Sequence, residues 1–357
     1  MIAAALAVQR PRDARLLGVD AVGRVSHHAR TALAHLLNAG DLVIANDAAT
    51  MPASLGGIHR PSGATIEVRL ASRRSLAVDD VRCFGAIVFG AGGFRSRTED
   101  RAVPPPLASG DRLSLGPLEA TVTRSLGHPR FVEIAFAGSV DALWDVWTRV
   151  AALPVAFEPP SAGFVLDWHL LDVLRARGIG FATLTHAAGL SCTGDAALDA
   201  RLPFDEPYHL PATTAAAIAH ARCVGGRVIA LGTTVARALE HAAAQPAGLR
   251  PGPGLATNRL GRASVLRVVD ALISGTHEPG SSHHELLRAF VADETLERID
   301  AALESGGYRT HEFGDSVLVK ASAGRWVPPV PGRAPSEDGT VAQATSAGAK
   351  FFRPART

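Results

Sequence analysis

The 357-residue sequence predicts an α/β protein in which a mixed or largely parallel sheet domain is interrupted by a small inserted antiparallel β-barrel domain. Two observations support this fold class. Short segments in which apolar and polar residues alternate, separated by glycine and proline, are concentrated in residues 57–138. On both sides of them, in residues 1–56 and 139–320, apolar strand segments alternate with helical segments, as in the crossover units of open sheets.

The barrel domain is predicted from a series of short strands. A period of two residues places successive side chains on opposite faces, so each strand can turn one apolar face inwards. The predicted strands are 64–70, 83–89, 112–115, 118–123 and 130–136. Residues 57–130 also hold eleven arginines against seven acidic residues, which fits either a phosphate-backbone contact or an ordinary solvated surface.

The sheet domain is predicted from longer helices between apolar strands. The strands are 40–47, 181–186, 228–231, 265–271 and 315–320, and the helices are 31–38, 140–150, 167–176, 211–223, 282–292 and 294–305. A capping box, Ser282 with Glu285, marks the start of helix 282–292. Residues 321–357 contain few large apolar side chains and are predicted to form a disordered tail.

The segment 226–239 is the most informative single stretch. A buried strand runs directly into Gly232, Thr233 and Thr234, which are followed by a helix that carries Arg237 and Glu240. A threonine-capped helix start leaves backbone N–H groups that suit a carboxylate, phosphate or ribose oxygen. The alternative is an ordinary strand-to-helix turn, with Arg237 and Glu240 forming a surface pair or holding the arginine ready for a carboxylate.

Three further groups of polar residues follow predicted strands. Asn46 and Asp47 end the first strand and are either ligand contacts or an Asx turn. His186 ends another strand, where a histidine can act as acid or base or can simply bond a backbone carbonyl. The loop 274–285 carries His277, Ser281 and two adjacent histidines and leads into a serine-capped helix, which could together form an anion or ribose site, whereas the spacing of the histidines fits no metal motif.

Composition excludes several classes of protein. The formal net charge is only +2, the three cysteines are far apart, and no apolar stretch has the length of a membrane span. We therefore expect a cytoplasmic protein with no disulfide framework, no metal and no membrane partner. Dinucleotide, Walker A and nucleophile-elbow motifs are absent from the sequence.

Taken in chain order, these stretches resemble one family, the S-adenosylmethionine:tRNA ribosyltransferase-isomerases of queuosine biosynthesis. The match is collinear over roughly residues 10–320. The residues that carry it are Pro11 to Asp13, Asp41, Asn46 and Asp47, Ser161 to Gly163, His186, Glu206, Tyr208, Pro211, Gly232 to Thr234, Arg237, Glu240, His277, Pro279, Ser281 and Tyr308.

The resemblance implies transfer and isomerisation of the ribosyl part of S-adenosylmethionine onto 7-aminomethyl-7-deazaguanine in tRNA, which gives epoxyqueuosine. It implies S-adenosylmethionine as a co-substrate, no bound cofactor, and tRNA as a possible partner. His186 and His277 are the expected catalytic residues. The expected substrate-binding residues are Asn46, Asp47, Gly163, Glu206, Gly232, Thr233, Thr234, Arg237 and Ser281.

The chain departs from the family pattern at several positions. Ala48 and Ala49 stand where the family has threonine and arginine, Ser54 where it has arginine, and Val165 where it has histidine. Two alternatives follow from these differences. One is an enzyme of the same fold that uses S-adenosylmethionine or a nucleoside on a small molecule, and the other is a non-catalytic binding protein.

Overall fold

The computed structural model describes residues 2–3, 13–50, 53–93, 98, 100–148, 161–310 and 314–322, and all structural statements below concern these residues. They form two sheets of functional interest, a nine-stranded mixed sheet and a closed six-stranded barrel. A third, two-stranded pairing joins β1 (Ile2–Ala3) to β16 (Arg309–Thr310). The fold class that the sequence predicts is confirmed.

The mixed sheet has a parallel centre and antiparallel edges. Strand β4 pairs in parallel with β11 and β13, and β13 pairs in parallel with β15, so these four strands end at the same edge. In spatial order the strands are β14 (Gly252–Ala256), β12 (Glu206–Leu210), β11 (Gly180–His186), β4 (Leu42–Asn46), β13 (Val228–Leu231), β15 (Ala271–Gly275), β17 (Ser316–Lys320), β2 (Arg15–Val19) and β3 (Val25–Ala29).

Helices cover both faces of this sheet, which explains why its central strands are apolar along their whole length. Val43 and Ile229 pack into one core cluster, while their neighbours Ile44 and Ala230 pack into another. The α-helices are α1 (Val140–Thr148), α2 (Trp168–Ala176), α3 (Ala196–Asp199), α4 (Ala212–Cys223), α5 (Thr233–Ala244), α6 (Ser282–Leu286) and α7 (Asp293–Ser305). The 3₁₀ helices are η1 (Arg30–Leu36), η2 (Val78–Arg82), η3 (Ser161–Val165) and η4 (Leu287–Ala289).

The barrel is antiparallel throughout and closes in the order β10-β7-β6-β5-β8-β9. Its strands are β5 (Ser54–His59), β6 (Ala64–Ser72), β7 (Cys83–Phe89), β8 (Arg112–Leu115), β9 (Leu118–His128) and β10 (Phe131–Phe136). Ile66, Val68 and Leu70 alternate into its interior, as the two-residue period predicts. The domain boundaries themselves stay a prediction, and the predicted tail lies, apart from its first two residues, outside the described residues.

The predicted strand at 265–271 is wrong. Only its last residue belongs to a strand, β15, and the preceding backbone serves a different partner. The carboxylate of Glu240 accepts the N–H groups of Arg267, Val268 and Val269 at 2.8, 2.9 and 2.8 Å. Because these three amides bind one side chain, they are not available to a neighbouring strand.

Two predicted helices differ in form. The predicted helix 31–38 is replaced by the 3₁₀ helix η1, which covers Arg30–Leu36, and the predicted helix 282–292 ends at Leu286 before continuing as η4. The predicted capping box is displaced by one residue, since Ser281 is the N-cap and its Oγ accepts the N–H of His284 at 3.2 Å. Among the described residues, no helix has both the length and the apolar character needed to cross a membrane.

Candidate active site

The turn after β13 begins at Gly232. Its φ of 101° and ψ of 149° are unfavourable for any residue with a side chain, and they let the chain leave the sheet and enter α5 within one residue. Gly232 occupies the N-cap position and Thr233 is the first helical residue, so the predicted threonine cap is wrong. The first turn of α5 therefore offers backbone N–H groups without a side-chain cap of its own.

Glu206, at the start of β12, lies at the centre of a buried polar cluster. Its Oε2 accepts from Nε2 of His186 at 2.9 Å and from Nη1 of Arg237 at 2.5 Å, and its Oε1 accepts the N–H of Gly189 at 2.6 Å. Burial acts to raise the pKa of Glu206, but the hydrogen bond from His186 and the neighbouring charges outweigh it and lower that pKa. The carboxylate is thus held in its charged form.

The guanidinium group of Arg237 is hydrogen-bonded to other groups of the protein. Besides Glu206, its guanidinium donates to the backbone carbonyls of Asn258 at 2.8 Å and of Phe204 and Ala256 at 2.7 Å each. Only 3% of the residue is exposed. Arg237 does not pair with Glu240, as its spacing in the sequence suggested. It ties α5 to the loop before β12 and to β14, and we regard it as a positioning residue.

His186 is completely buried behind Glu206. Its Nδ1 lies 2.8 Å from the carbonyl oxygen of Thr234, while Nε2 faces the carboxylate. Both partners are acceptors, so each ring nitrogen lies against an oxygen atom of the protein. With both nitrogens engaged, His186 holds Glu206 against the start of α5 and has no nitrogen free for a ligand.

A cleft of about 310 Å³ opens in front of this cluster. It is lined by residues that follow three parallel strands: Gly189 to Ser191 after β11, Thr233 and Thr234 after β13, and Gly280, Ser282, His283, Glu285 and Leu286 after β15. Glu206, Arg237 and Arg259 complete its walls. Ligands of open α/β sheets bind at this position, beyond the carboxyl ends of the strands.

The loop after β11 reaches the barrel at one side of the cleft. A Cβ on Gly189 would stand 2.4 Å from the carbonyl oxygen of Ala71, at the end of β6, and 3.2 Å from Oε1 of Glu206. Glycine is therefore required where the backbone passes between the barrel and the buried carboxylate.

One of the two adjacent histidines of the loop 274–285, His283, lines the cleft, although the sequence analysis assigned it no catalytic or binding role of its own. His283, in the first turn of α6, stacks its ring on that of His277 at a centroid distance of 4.6 Å and an interplanar angle of 16°. Burial lowers the pKa of His283, with a smaller opposing influence from the charge of Glu206. Ser274 Oγ lies 3.2 Å from Nε2 of His277. With the N-cap of α6 placed at Ser281, the register of the helix would have indicated that His283 faces the cleft.

The remaining predicted residues lie around the cleft rather than in its walls. Asn46 pairs with the backbone of His186 at 2.9 Å in both directions and accepts the N–H of Ala48, which forms the Asx turn considered from the sequence. Asp47 accepts from Thr185 at 2.7 Å. Gly163 lies in η3, where a Cβ would meet no atom within 4 Å.

Val165 occupies the position where the family pattern has a histidine. It is 5% exposed and packs with Leu170 and Leu174 in an apolar core cluster against the sheet. This side chain supplies no polar group to the cleft.

Comparison with known proteins places the chain in a family. The family model described as "queuosine biosynthesis protein" matches residues 1–319. Proteins named S-adenosylmethionine:tRNA ribosyltransferase-isomerase are similar to it: that of Sorangium cellulosum is 34% identical over 88% of this chain and 96% of the relative. That of Methylobacterium sp. is 32% identical over 90% and 96%, respectively.

A solved structure shares the fold. The crystal structure of the S-adenosylmethionine tRNA ribosyltransferase from Thermotoga maritima aligns with a TM-score of 0.51 at 21% identity, covering 89% of this chain and 96% of that one. The inserted barrel, the cleft beyond the parallel strands and a match over nearly the whole chain agree with one another. The chain belongs to the queuosine biosynthesis protein family.

Proposed function

We propose that the chain is an S-adenosylmethionine:tRNA ribosyltransferase-isomerase, which transfers and isomerises the ribosyl part of S-adenosylmethionine onto 7-aminomethyl-7-deazaguanine in tRNA. The observation that carries the proposal is the cleft beyond β11, β13 and β15, with the start of α5 on one wall and His283 on another. Its volume, about 310 Å³, lies in the range of small-molecule sites. S-adenosylmethionine is a co-substrate here, and a tRNA partner would place the reaction in the cytoplasm.

The walls of the cleft suit the parts of this substrate. The first turn of α5, at Thr233 and Thr234, presents N–H groups and the positive end of the helix dipole, which favour the amino-acid carboxylate. Arg259 adds a cation at the rim. The bonded pair Glu206 and Arg237 forms part of the cleft wall, and the hydrogen bonds of Arg237 hold that part in place.

His283 is suited to accept the proton from the carbon beside the sulfonium. A base must be uncharged before it acts, and the lowered pKa of His283 keeps its ring neutral near pH 7. Stacking on His277 fixes the plane of the ring. His283 thus takes the role that the sequence assigned to His186 and His277.

The test is an assay with S-adenosylmethionine and tRNA that carries the aminomethyl-deazaguanine base. Adenine and methionine should be released only with this tRNA, and epoxyqueuosine should be found in its digested nucleosides by mass spectrometry. The control is the same tRNA with guanine at that position. Tight S-adenosylmethionine binding without turnover on the modified tRNA would contradict the proposal and would favour a small-molecule acceptor or a non-catalytic role.

A further inference from the structure

A second cavity, of about 450 Å³, lies between the barrel and the loops around β12 and β14. The barrel contributes residues of β6, β7, β9 and β10 together with the two residues that follow β6. The other wall contains Arg201, Pro203, Phe204, Asp205, Leu255, Thr257 and Arg259. Five arginines line it, and we name it the arginine groove after them: Arg73, Arg74, Arg124, Arg201 and Arg259.

The arginine groove is strongly cationic. Against its five guanidinium groups stand the two carboxylates of Glu133 and Asp205. Arg74 and Arg124 both bond Glu133, at 2.8 and 2.9 Å, and hydrogen bonds from Arg124 foremost lower the pKa of Glu133 to about 2. Even with both acids ionised, the cationic groups outnumber them, so the groove attracts anions.

One of these arginines has an unused donor. Arg73 is 3% exposed, and its Nη2 donates to the carbonyl of Ala77 at 2.9 Å. In the part of the chain that the structure describes, its Nε meets no hydrogen-bond partner. A buried guanidinium N–H without an acceptor is unfavourable, so Arg73 adds its charge to the wall of the groove without a full set of hydrogen-bond partners.

The arginine groove adjoins the cleft. Pro203 and Arg259 line both cavities, and Arg259 donates to the carbonyls of Ala200 and Arg201 in the loop between them. A chain of nucleotides lying in the groove would therefore bring a neighbouring base to the mouth of the cleft.

We propose that the arginine groove binds the phosphodiester backbone of the RNA beside the nucleotide that enters the cleft. This inference rests on the proposed function for the identity of the RNA. Arginines on both walls favour a polyanion over a single small phosphate, because one phosphate group cannot meet guanidinium groups that are spread along the whole groove. Three of the eleven arginines in residues 57–130, Arg73, Arg74 and Arg124, line the groove.

The first experiment compares two double variants. Arg74→Gln with Arg124→Gln removes two groove cations that face Glu133. The matched control, Arg60→Gln with Arg112→Gln, removes two barrel arginines near Glu119, none of which lines the groove. Binding of a synthetic tRNA anticodon stem-loop is measured by fluorescence anisotropy over a series of salt concentrations.

The groove variant should bind the stem-loop about tenfold more weakly than the wild type. The slope of log K against log salt should become shallower by about 1.4, as about 0.7 is expected for each lost contact to a single strand. The control should keep both the affinity and the slope. If the groove variant binds the stem-loop as the control does, the proposal is wrong. It is also wrong if the groove variant changes only the binding of inorganic pyrophosphate, measured alongside.

The second experiment tests for tighter binding of the stem-loop. Glu133→Gln removes a negative charge and releases Arg74 and Arg124, so the stem-loop should bind several-fold more tightly, whereas Glu119→Gln should have no effect. Misfolding cannot produce tighter binding, and an unchanged affinity in Glu133→Gln would contradict the proposal. Both experiments measure the binding of unmodified RNA without turnover. The arginine groove can therefore be confirmed as an RNA-binding site even if the assay of the proposed function fails.

Discussion

The contact between Arg237 and Glu206 shows how one residue gains its role from partners distant in the sequence. From its position near the start of α5, Arg237 was predicted to bind substrate. The structure instead gives its guanidinium four acceptors, a carboxylate and three carbonyls. The carboxylate comes from a residue 31 positions away, which no local pattern can indicate.

Replacing Arg237 with alanine should therefore destabilise the protein by about 3 kcal/mol, since Glu206 would be left as a buried charge without its cation. The matched control is Arg24→Ala, which removes an exposed pair with Asp20 and should cost below about 1 kcal/mol. The measurement is urea unfolding at pH 7. A variant of normal stability that fails to bind S-adenosylmethionine would return Arg237 to the role of substrate ligand.

The second prediction at this scale concerns His283. Its replacement by phenylalanine keeps a stacked ring but removes the base, and single-turnover release of adenine should fall by about 10²-fold or more. In the wild type the rate should decline as pH falls, because protonation removes the base, with a midpoint below the usual 6.5. S-adenosylmethionine binding should be retained in the variant.

The control is His277→Phe, which preserves the stack and leaves His283 in place. It should keep the acid limb of the pH profile. A pH profile that moves in His277→Phe and stays unchanged in His283→Phe would assign the base to His277, as the sequence predicted.

At the scale of an element, the start of α5 depends on one backbone conformation. Gly232 has φ of 101°, and a Cβ there would also lie 3.3 Å from Cβ of Ala162. Gly232→Ala should thus cost about 1–3 kcal/mol in urea unfolding and weaken S-adenosylmethionine binding, as the first turn of the helix shifts. Gly261→Ala is the control, since a Cβ at that position meets no atom within 4 Å. Equal stability of the two variants would show that the turn tolerates a side chain.

Among the elements, those with a strong local period were predicted best. Strand β13 and helix α2 match their predicted ranges, 228–231 and 167–176, within a residue. Strand β5 was missed because Gly56 and Gly57 interrupt its alternation. The strand predicted at 265–271 has apolar residues, but its amides are used by Glu240, and a tertiary contact of this kind overrides local propensity.

At the scale of the whole molecule, the barrel packs on the loop before β12. Phe131 of β10 and Phe204 stack at a centroid distance of 4.4 Å, and Arg201 lies over Phe131. Phe204→Ala should therefore cost about 3–5 kcal/mol, measured by urea unfolding. The control Phe181→Ala, at a side chain that is 41% exposed, should cost far less. A small effect of Phe204→Ala would mean that the two parts hold together through other contacts.

The general architecture and the edge of the sheet that carries the cleft were predictable, because the alternation of strands and helices and the turn glycines are local features of the sequence. The identity of the polar groups that face the cleft was not predictable from the sequence. His186 and Arg237 both bond Glu206, and Glu206, Arg237 and His283 all line the cleft, an arrangement that depends on how α5 and α6 are placed by the core.

The position of Arg259 on both cavities has an energetic consequence. Its guanidinium donates to the carbonyls of Ala200 and Arg201, so a ligand that contacts Arg259 from either cavity acts on the same backbone. If one ligand changes the affinity for the other through this contact, linkage requires the reverse effect to be equal. We expect the factor by which the affinity changes to exceed one, which makes the two substrates heterotropic activators of each other's binding.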